Sequence, residues 1–245
     1  MGKIFIVGIG PGGLDEMTPR ARKAIESSEV VAGYNTYIKL IENILAGKKI
    51  IGRAMMQEVE RARLAIDEAQ IGRDVAVISG GDAGVYGMAG LVIELVLNLP
   101  EDNRPQFEII AGVSAVNAAA AILGAPLMHD FAIISLSNLL TPWELIERRV
   151  RAAAAADFVI ALYNPKSKRR VTQLDDVRQI ILQFRSPDTP VGIVTNAGRS
   201  GQTKIISTLE QFTREDVNMF SLVIVGNSQT FVEAGYMVTP RGYEI

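Results

Sequence analysis

The chain has 245 residues, of which 48% are hydrophobic and 21% charged, and its formal net charge is −2. This composition is typical of a globular protein with a sizeable core, and it argues against a disordered chain or a general nucleic-acid binder. With no cysteine and one histidine, His129, disulfides, cysteine chemistry and a multi-histidine metal centre are excluded. No apolar run approaches the roughly 18 residues of a membrane span, and no signal peptide is recognisable. We therefore expect a cytoplasmic protein that holds no metal.

The first half of the chain alternates short apolar runs with helical patterns. The continuous apolar run at 3–9 predicts a strand that is buried on both faces of a parallel sheet. Thr18 and Pro19 are typical of the N-cap and first residue of a helix. Further strands are predicted at 30–32, 50–51, 75–78 and 107–111, and further helices at 38–46, 58–70, 84–98 and 117–124.

The second half has longer strands with clearer alternation. They are predicted at 131–136, 157–162, 190–195, 203–208 and 221–225, with long helices at 142–155 and 169–185. Short connections between the last strands favour antiparallel or mixed pairing. We predict two α/β domains, 1–112 with an open, mostly parallel sheet and 113–245 with a mixed sheet.

The first glycine-rich loop, Gly8 to Gly13, matches the dinucleotide pattern G-x-G-x-x-G after a first strand. Pro11 removes a backbone donor from the loop, however, and the second strand ends in 33–35 without an acidic residue that would bind a ribose. The loop is therefore more consistent with another ligand, or with a structural turn, than with a nicotinamide or flavin.

Two further turns follow predicted strands. In 79–82, Ser-Gly-Gly-Asp, Asp82 either caps the next helix or contacts a polar ligand that the glycines allow to approach the backbone. In 112–117, Ser114 is typical of a helix N-cap.

Three polar features lie near strand ends in the second half. Asn164 precedes a proline and is expected to be extended, with its amide open to a ligand or else in a plain turn. The basic run 166–170, predicted at the start of a helix, and Arg199 either bind an anionic substrate or form a solvated face. His129 is either a general acid–base or a structural residue.

Together these motifs resemble the tetrapyrrole methylases. The motif-bearing stretches are Gly8-x-Gly10-Pro11-Gly12, Ser79 to Asp82, Gly112 to Ala115 and Val225-Gly226-Asn227. The resemblance runs from Lys3 to about Thr230. Within the family, the stretches 33–37, 81–87, 136–143, 163–165 and 195–199 resemble the branch that methylates carbon 17 of a corrin precursor and contracts the ring.

The resemblance implies a fold, a cofactor and an assembly. The fold would be two α/β domains with the active-site cleft between them, usually in a homodimer. S-adenosylmethionine would lie folded in that cleft and leave as S-adenosylhomocysteine. The residues that would contact it are Pro11, Gly80, Gly81, Asp82, Val85, Ser114, Ala115, Asn164, Ser207 and Thr208.

The resemblance also implies a substrate, precorrin-3B or cobalt-factor III, with many carboxylates. It would be bound by the basic residues Lys166, Lys168, Arg169, Arg170 and Arg199. His129, Tyr34 and Asn138 are candidates for proton transfer during ring contraction. Asn138 stands where we expect the family to have an acidic residue, which leaves an acid–base role for that position open.

Three other functions stay open at this point. The target could be a different carbon of a corrinoid precursor. The glycine loop could serve a nicotinamide-dependent oxidoreductase, or the chain could be a corrinoid carrier that catalyses nothing. None of these readings includes a nucleic acid or a membrane as partner.

Overall fold

The structure is a computed structural model that describes residues 1–167 and 170–244. The chain divides into two compact units, the first Met1–Ala115 and the second beginning at Val116. Each unit has its own sheet and its own buried cores.

The first unit is a five-stranded parallel sheet with helices on both faces. Its strands are β1 (Lys3–Gly8), β2 (Val30–Tyr34), β3 (Lys49–Arg53), β4 (Val75–Ser79) and β5 (Gln106–Ile110), and its helices are α1 (Pro19–Ser27), α2 (Asn35–Leu40), α3 (Glu58–Gln70) and α4 (Ala89–Leu97). The strand order is β3-β2-β4-β1-β5, and every neighbouring pair is parallel. The predicted parallel sheet is confirmed.

Alternate residues of these strands enter two separate cores. Ile4, Ile6 and Val77 pack with α3 and α4 on one face. Val7 and Ile78 pack with α1 and α2 on the other. Because both faces are buried, the strands read as continuous apolar runs rather than as alternating ones.

The second unit contains a mixed sheet and a small three-stranded sheet. Its elements are α5 (Ala115–Leu123), β6 (Gly124–Ala125), β7 (Phe131–Ser135), α6 (Trp143–Ala155), β8 (Val159–Tyr163), α7 (Gln173–Leu182), β9 (Pro190–Thr195), β10 (Thr203–Thr208), β11 (Ser221–Val225), β12 (Phe231–Glu233) and β13 (Tyr236–Val238). The order of the larger sheet is β10-β9-β11-β8-β7. Within this larger sheet, β7 and β8 pair in parallel and the other neighbouring pairs are antiparallel, so the predicted mixed sheet is confirmed.

Strand direction decides which loops of the second unit are neighbours. β11 runs antiparallel to both β8 and β9, so β7, β8 and β9 all point the same way. Their carboxyl ends meet at one edge, where the segments that begin at residues 136, 164 and 196 leave the sheet. β10 runs antiparallel to β9, so it ends at the opposite edge.

Three helix predictions differ from the structure. The helix predicted at 84–98 begins only at Ala89, and that predicted at 169–185 covers Gln173–Leu182. The pattern at 38–46 is split between α2 and a short 3₁₀ turn, Glu42–Ile44.

The prediction for α1 is confirmed, because the amide of Ala21 donates to Thr18 Oγ1 at 3.2 Å. Within the described residues, no helix is long and apolar enough to cross a membrane.

The packing of α5 on β9 depends on a glycine. A Cβ on Gly192 would lie 2.5 Å from Leu123 Cδ1. We expect Gly192→Ala to lower the free energy of unfolding by about 1–3 kcal/mol through overpacking, and Leu123→Ala by about 2–5 kcal/mol through a cavity. In urea unfolding, the double variant should lose less free energy of unfolding than the sum of the two single losses, because the new methyl group occupies part of the vacated space.

Gly90 of α4 is the matched control, because a Cβ there meets nothing within 4 Å. Gly90→Ala should be neutral or slightly stabilising. Strict additivity of the Gly192 and Leu123 substitutions would contradict the packing described.

Candidate functional site

The carboxyl ends of β1 and β4 are joined by backbone hydrogen bonds between two glycines. Gly10 N donates to Gly81 O at 3.1 Å, and Gly81 N donates to Gly10 O at 2.7 Å. Both residues have positive φ, +79° and +70°, a region that glycine enters without steric cost. The two turns are therefore locked together backbone to backbone.

A third turn, after β5, packs equally closely on the first two. A Cβ on Gly112 would lie 2.3 Å from Gly81 O, and one on Gly8 would lie 2.7 Å from Gly112 N. Since those neighbours are backbone atoms, any side chain there would force the turns apart. We call the three turns, 8–13, 80–88 and 111–114, the glycine edge.

Asp82 ties two of these turns together. Its Oδ1 accepts from Gly84 N at 2.8 Å and its Oδ2 accepts from Gly112 N at 2.9 Å. The helix-capping reading of Asp82 is wrong, because α4 begins at Ala89 and its N-cap residue is Met88. Residues 82–88 form no helix because the Asp82 side chain engages the backbone locally, as in an Asx-turn.

The glycine edge gathers the predicted cofactor residues of the first unit. Pro11 and Gly81 are buried, while Gly80, Asp82 and Val85 are half-buried. Ser114 and Ala115 follow Gly112 after one residue, Val113, although the expected capping role of Ser114 stays a prediction. All of these residues lie on the turns after β1, β4 and β5 or at the start of α5.

Aromatic side chains cover the neighbouring strand ends. The ring of Tyr37 packs on Gly80, where a Cβ would lie 2.6 Å from its Cε1. Tyr34, at the end of β2, meets Tyr37 edge-on with ring centroids 5.4 Å apart. Through Tyr37, Tyr34 lies beside the 80–88 turn of the glycine edge.

Sequence reasoning missed Arg61, which is buried beside this edge. Its Nη2 donates to Met88 Sδ at 3.2 Å, and its side chain lies in the first turns of α3. Burial lowers the pKa of the guanidinium, while the charges of Glu58 and Tyr37 raise it. The available signal was helical spacing, because Arg61 lies on the same helix face as Ala65 and Ala69, which are buried.

Asn164, at the carboxyl edge of the second sheet, is not extended as predicted. Its φ is +51°, the left-handed region that asparagine tolerates better than most residues. Its Nδ2 donates to Ser135 Oγ at 3.0 Å, and its carbonyl accepts from Arg170 Nη2 at 3.3 Å. These two bonds hold a conformation that a following proline disfavours.

The basic residues differ in their exposure. Lys166 and Arg199 are half-buried in loops at the same carboxyl edge, whereas Arg170 is buried. Burial lowers the pKa of Arg170. Lys168 and Arg169 lie outside the described residues. The basic run does not open a helix, since α7 begins at Gln173.

Ser207 and Thr208 lie at the opposite edge of that sheet. They pair with Val191 and Pro190, at the start of β9, and Ser207 Oγ donates to Glu215 Oε1 at 3.1 Å. They line a cavity of about 520 Å³. The length of β9 alone separates this edge from that of Asn164 by about 16 Å at ~3.3 Å per residue.

The remaining candidates are exposed. His129 precedes β7, at the same edge as Thr208, and its Nδ1 accepts from Asp130 N at 2.9 Å. Asn138 is exposed in the loop after β7, at the edge of Asn164. Within 1–167 and 170–244, the structure holds no group of three or more histidine and acidic residues arranged to bind a metal.

Comparison with known proteins gives the chain its relatives. Residues 3–213 match the family Tetrapyrrole (Corrin/Porphyrin) Methylases. A probable cobalt-factor III C(17)-methyltransferase of Salmonella typhimurium is 49% identical over 99% of this chain and 100% of its own length. A cobalt-factor III methyltransferase of Priestia megaterium is also 49% identical, and the chain spans 45% of its length.

Solved structures agree on the fold. The crystal structure of the methyltransferase CobJ superposes with a TM-score of 0.93 at 34% identity and covers 98% of this chain and 100% of its own. A uroporphyrin-III C-methyltransferase of Thermus thermophilus, complexed with S-adenosylhomocysteine, has a TM-score of 0.71 at 23% identity over 92% of each chain. The α/β fold, its glycine edge and these matches lead to one conclusion: the chain belongs to the tetrapyrrole methylase family.

Proposed function

We propose that this protein transfers a methyl group from S-adenosylmethionine to carbon 17 of cobalt-factor III in cobalamin biosynthesis. The observation that carries the proposal is the 49% identity, over the full length of both chains, to a probable cobalt-factor III C(17)-methyltransferase. The names of this relative and of the Priestia megaterium one favour the cobalt-containing substrate over metal-free precorrin-3B.

The glycine edge fits a cofactor that packs on backbone. Its turns expose peptide groups where a side chain would collide with Gly8, Gly81 or Gly112. We propose that Pro11, the 80–82 turn, Val85, Ser114 and Ala115 hold S-adenosylmethionine, whose sulfonium supplies an already activated methyl group. The protein then has to align the substrate carbon and exclude water, which needs neither a metal nor a nucleophilic side chain.

We propose that Asp82 has a structural role in addition to its contact with the cofactor. Because both of its oxygens accept backbone amides of the glycine edge, it fixes the distance between the β4 and β5 turns. We propose that it preorganises the cofactor surface and that the remaining lone pairs face the cofactor.

At the carboxyl edge of the second sheet, we propose that Lys166 and Arg199 bind substrate carboxylates. They are more accessible than Arg170, whose guanidinium instead supports the carbonyl of Asn164. Asn164 remains a proposed cofactor contact, as do Ser207 and Thr208, although the last two lie at the other edge of that sheet.

The proposal includes contraction of the ring after methylation. Tyr34 is the proton-transfer candidate that we favour, because it lies among the strand ends of the glycine edge. His129 and Asn138 stay proposals at exposed positions. We further propose a cytoplasmic homodimer, which the family resemblance supports.

The direct test supplies S-adenosylmethionine with an isotopically labelled methyl group together with cobalt-factor III. We expect one labelled methyl group at carbon 17, located by NMR, and a changed absorption spectrum if the ring contracts. A label at another carbon would identify a different methylase of the family. Binding of the tetrapyrrole without transfer would identify a carrier, and tight NADH binding without S-adenosylhomocysteine binding would favour the oxidoreductase.

Removing Asp82 should loosen the cofactor surface. Asp82→Ala leaves the half-buried Gly112 N without its acceptor, at a cost of up to about 1–3 kcal/mol, and releases the exposed Gly84 N to solvent. By calorimetry we expect S-adenosylhomocysteine to bind at least about tenfold more weakly, with a folded circular-dichroism spectrum. An unchanged affinity would place the cofactor elsewhere.

Charge reversal should separate substrate from cofactor. The double variant Lys166→Glu and Arg199→Glu should raise the KM for cobalt-factor III about tenfold and leave S-adenosylhomocysteine affinity unchanged, with a smaller effect at high salt. The control is Arg148→Glu with Arg149→Glu, two exposed residues of α6 that change the net charge equally. Equal KM values for the two double variants would indicate a solvated face.

A further inference from the structure

Arg61 and Arg185 are both buried, but they differ in the hydrogen-bond partners of their guanidinium groups. Arg185 has two nitrogens that donate to the carbonyls of Gly226 and Phe158, and its Nε lies 3.8 Å from Asp157 Oδ1. Its role as a link between three loops of the second unit accounts for its burial. No comparable set of partners accounts for Arg61.

Arg61 is 3% exposed, and the hydrogen-bond partners of its guanidinium are weak. Its Nε and Nη1 have no hydrogen-bond acceptor among the described residues. The acceptor of Nη2 is the thioether of Met88 at 3.2 Å, and thioether sulfur is a poor acceptor. Glu58 Oε1 lies 4.0 Å away with a side chain that is 45% exposed, so it offsets little of the charge.

The position of this charge points to the glycine edge. Met88 contacts Arg61 through its sulfur. The backbone amide of Met88 donates at 3.0 Å to Oγ of Ser79, which is the last residue of β4. The Tyr37 ring packs on Gly80 of the same turn. An incompletely paired cation therefore lies directly behind the turn that we assign to the cofactor.

We propose that Arg61 binds a carboxylate that a ligand brings to the glycine edge. A carboxylate satisfies guanidinium donors with strong, charge-assisted hydrogen bonds and neutralises the buried charge. The inference rests on the proposed function, whose two substrates both carry carboxylates: the methionine part of S-adenosylmethionine, and the acidic side chains around cobalt-factor III.

The segment 82–88 carries the Met88 side chain that lies against Arg61. Residues 82–88 form no helix or strand, and within them Tyr86 is 57% exposed with a φ of +54°, which is strained for an aromatic residue. Met88 has a flexible, unbranched side chain. Binding thus displaces the Met88 thioether and replaces a weak acceptor by a strong one.

Substitution of Arg61 by methionine should separate stability from binding. Removing an incompletely paired buried charge should leave the melting temperature unchanged or raise it. Arg185→Met, the matched control, should lower it, because two backbone carbonyls lose their donors. A fall in the melting temperature of Arg61→Met as large as that of Arg185→Met would indicate a purely structural role and overturn the proposal.

Binding measurements identify the source of the carboxylate. If the carboxylate belongs to the cofactor, Arg61→Met should weaken the binding of S-adenosylhomocysteine at least about tenfold in calorimetry. The affinity for methylthioadenosine, which lacks the carboxylate, should stay unchanged. If it belongs to the substrate, the KM for cobalt-factor III should rise by a similar factor while S-adenosylhomocysteine affinity is kept. Arg61→Lys, which keeps the charge, should recover part of either loss.

The proposal is overturned if Arg61→Met keeps both the Kd for S-adenosylhomocysteine and the KM for cobalt-factor III within about twofold of the wild type. Failure of the proposed function gives a different result, namely wild-type protein that transfers no labelled methyl group. Wild-type protein that binds neither S-adenosylhomocysteine nor cobalt-factor III would overturn both.

Discussion

The contact on which the first unit depends is the approach of three backbones at Gly8, Gly81 and Gly112. Here the turns touch, with Gly10 and Gly81 exchanging hydrogen bonds and Asp82 binding the amide of Gly112. The result is a close cluster of peptide groups with few side chains between them, which suits a cofactor recognised through its shape and its polar groups.

In the second unit, strand direction has the corresponding role. Because β7, β8 and β9 point the same way, Asn138, Asn164 and Arg199 follow strands that end at a common edge. β10 runs in the opposite direction, so Thr208 lies at the far edge together with His129. In the sequence all of these residues stand next to a strand end. The direction in which the strands pair decides which of the two sheet edges each residue occupies.

The long, strongly periodic elements were predictable, and the segments governed by side-chain bonds were not. Helix 58–70 was predicted with its observed bounds because its apolar face repeats regularly. Helix 84–98 was predicted too long because Asp82 engages Gly84 and Gly112 rather than a helix end, and Gly112 is 30 residues away in sequence. Asn164 was predicted extended, but its amide bonds to Ser135, 29 residues away on β7, and its carbonyl to the side chain of Arg170.

The sequence by itself determined the α/β class, the glycine turns after β1, β4 and β5, and the family resemblance, because apolar periodicity and glycine positions are local properties of the chain. It did not distinguish Arg170, which is buried and supports Asn164, from the more accessible Lys166 and Arg199, and it gave no role to Arg61. Only the tertiary structure decided these points. The burial of a charge, and the acceptors left to it, depend on which distant segments pack around it.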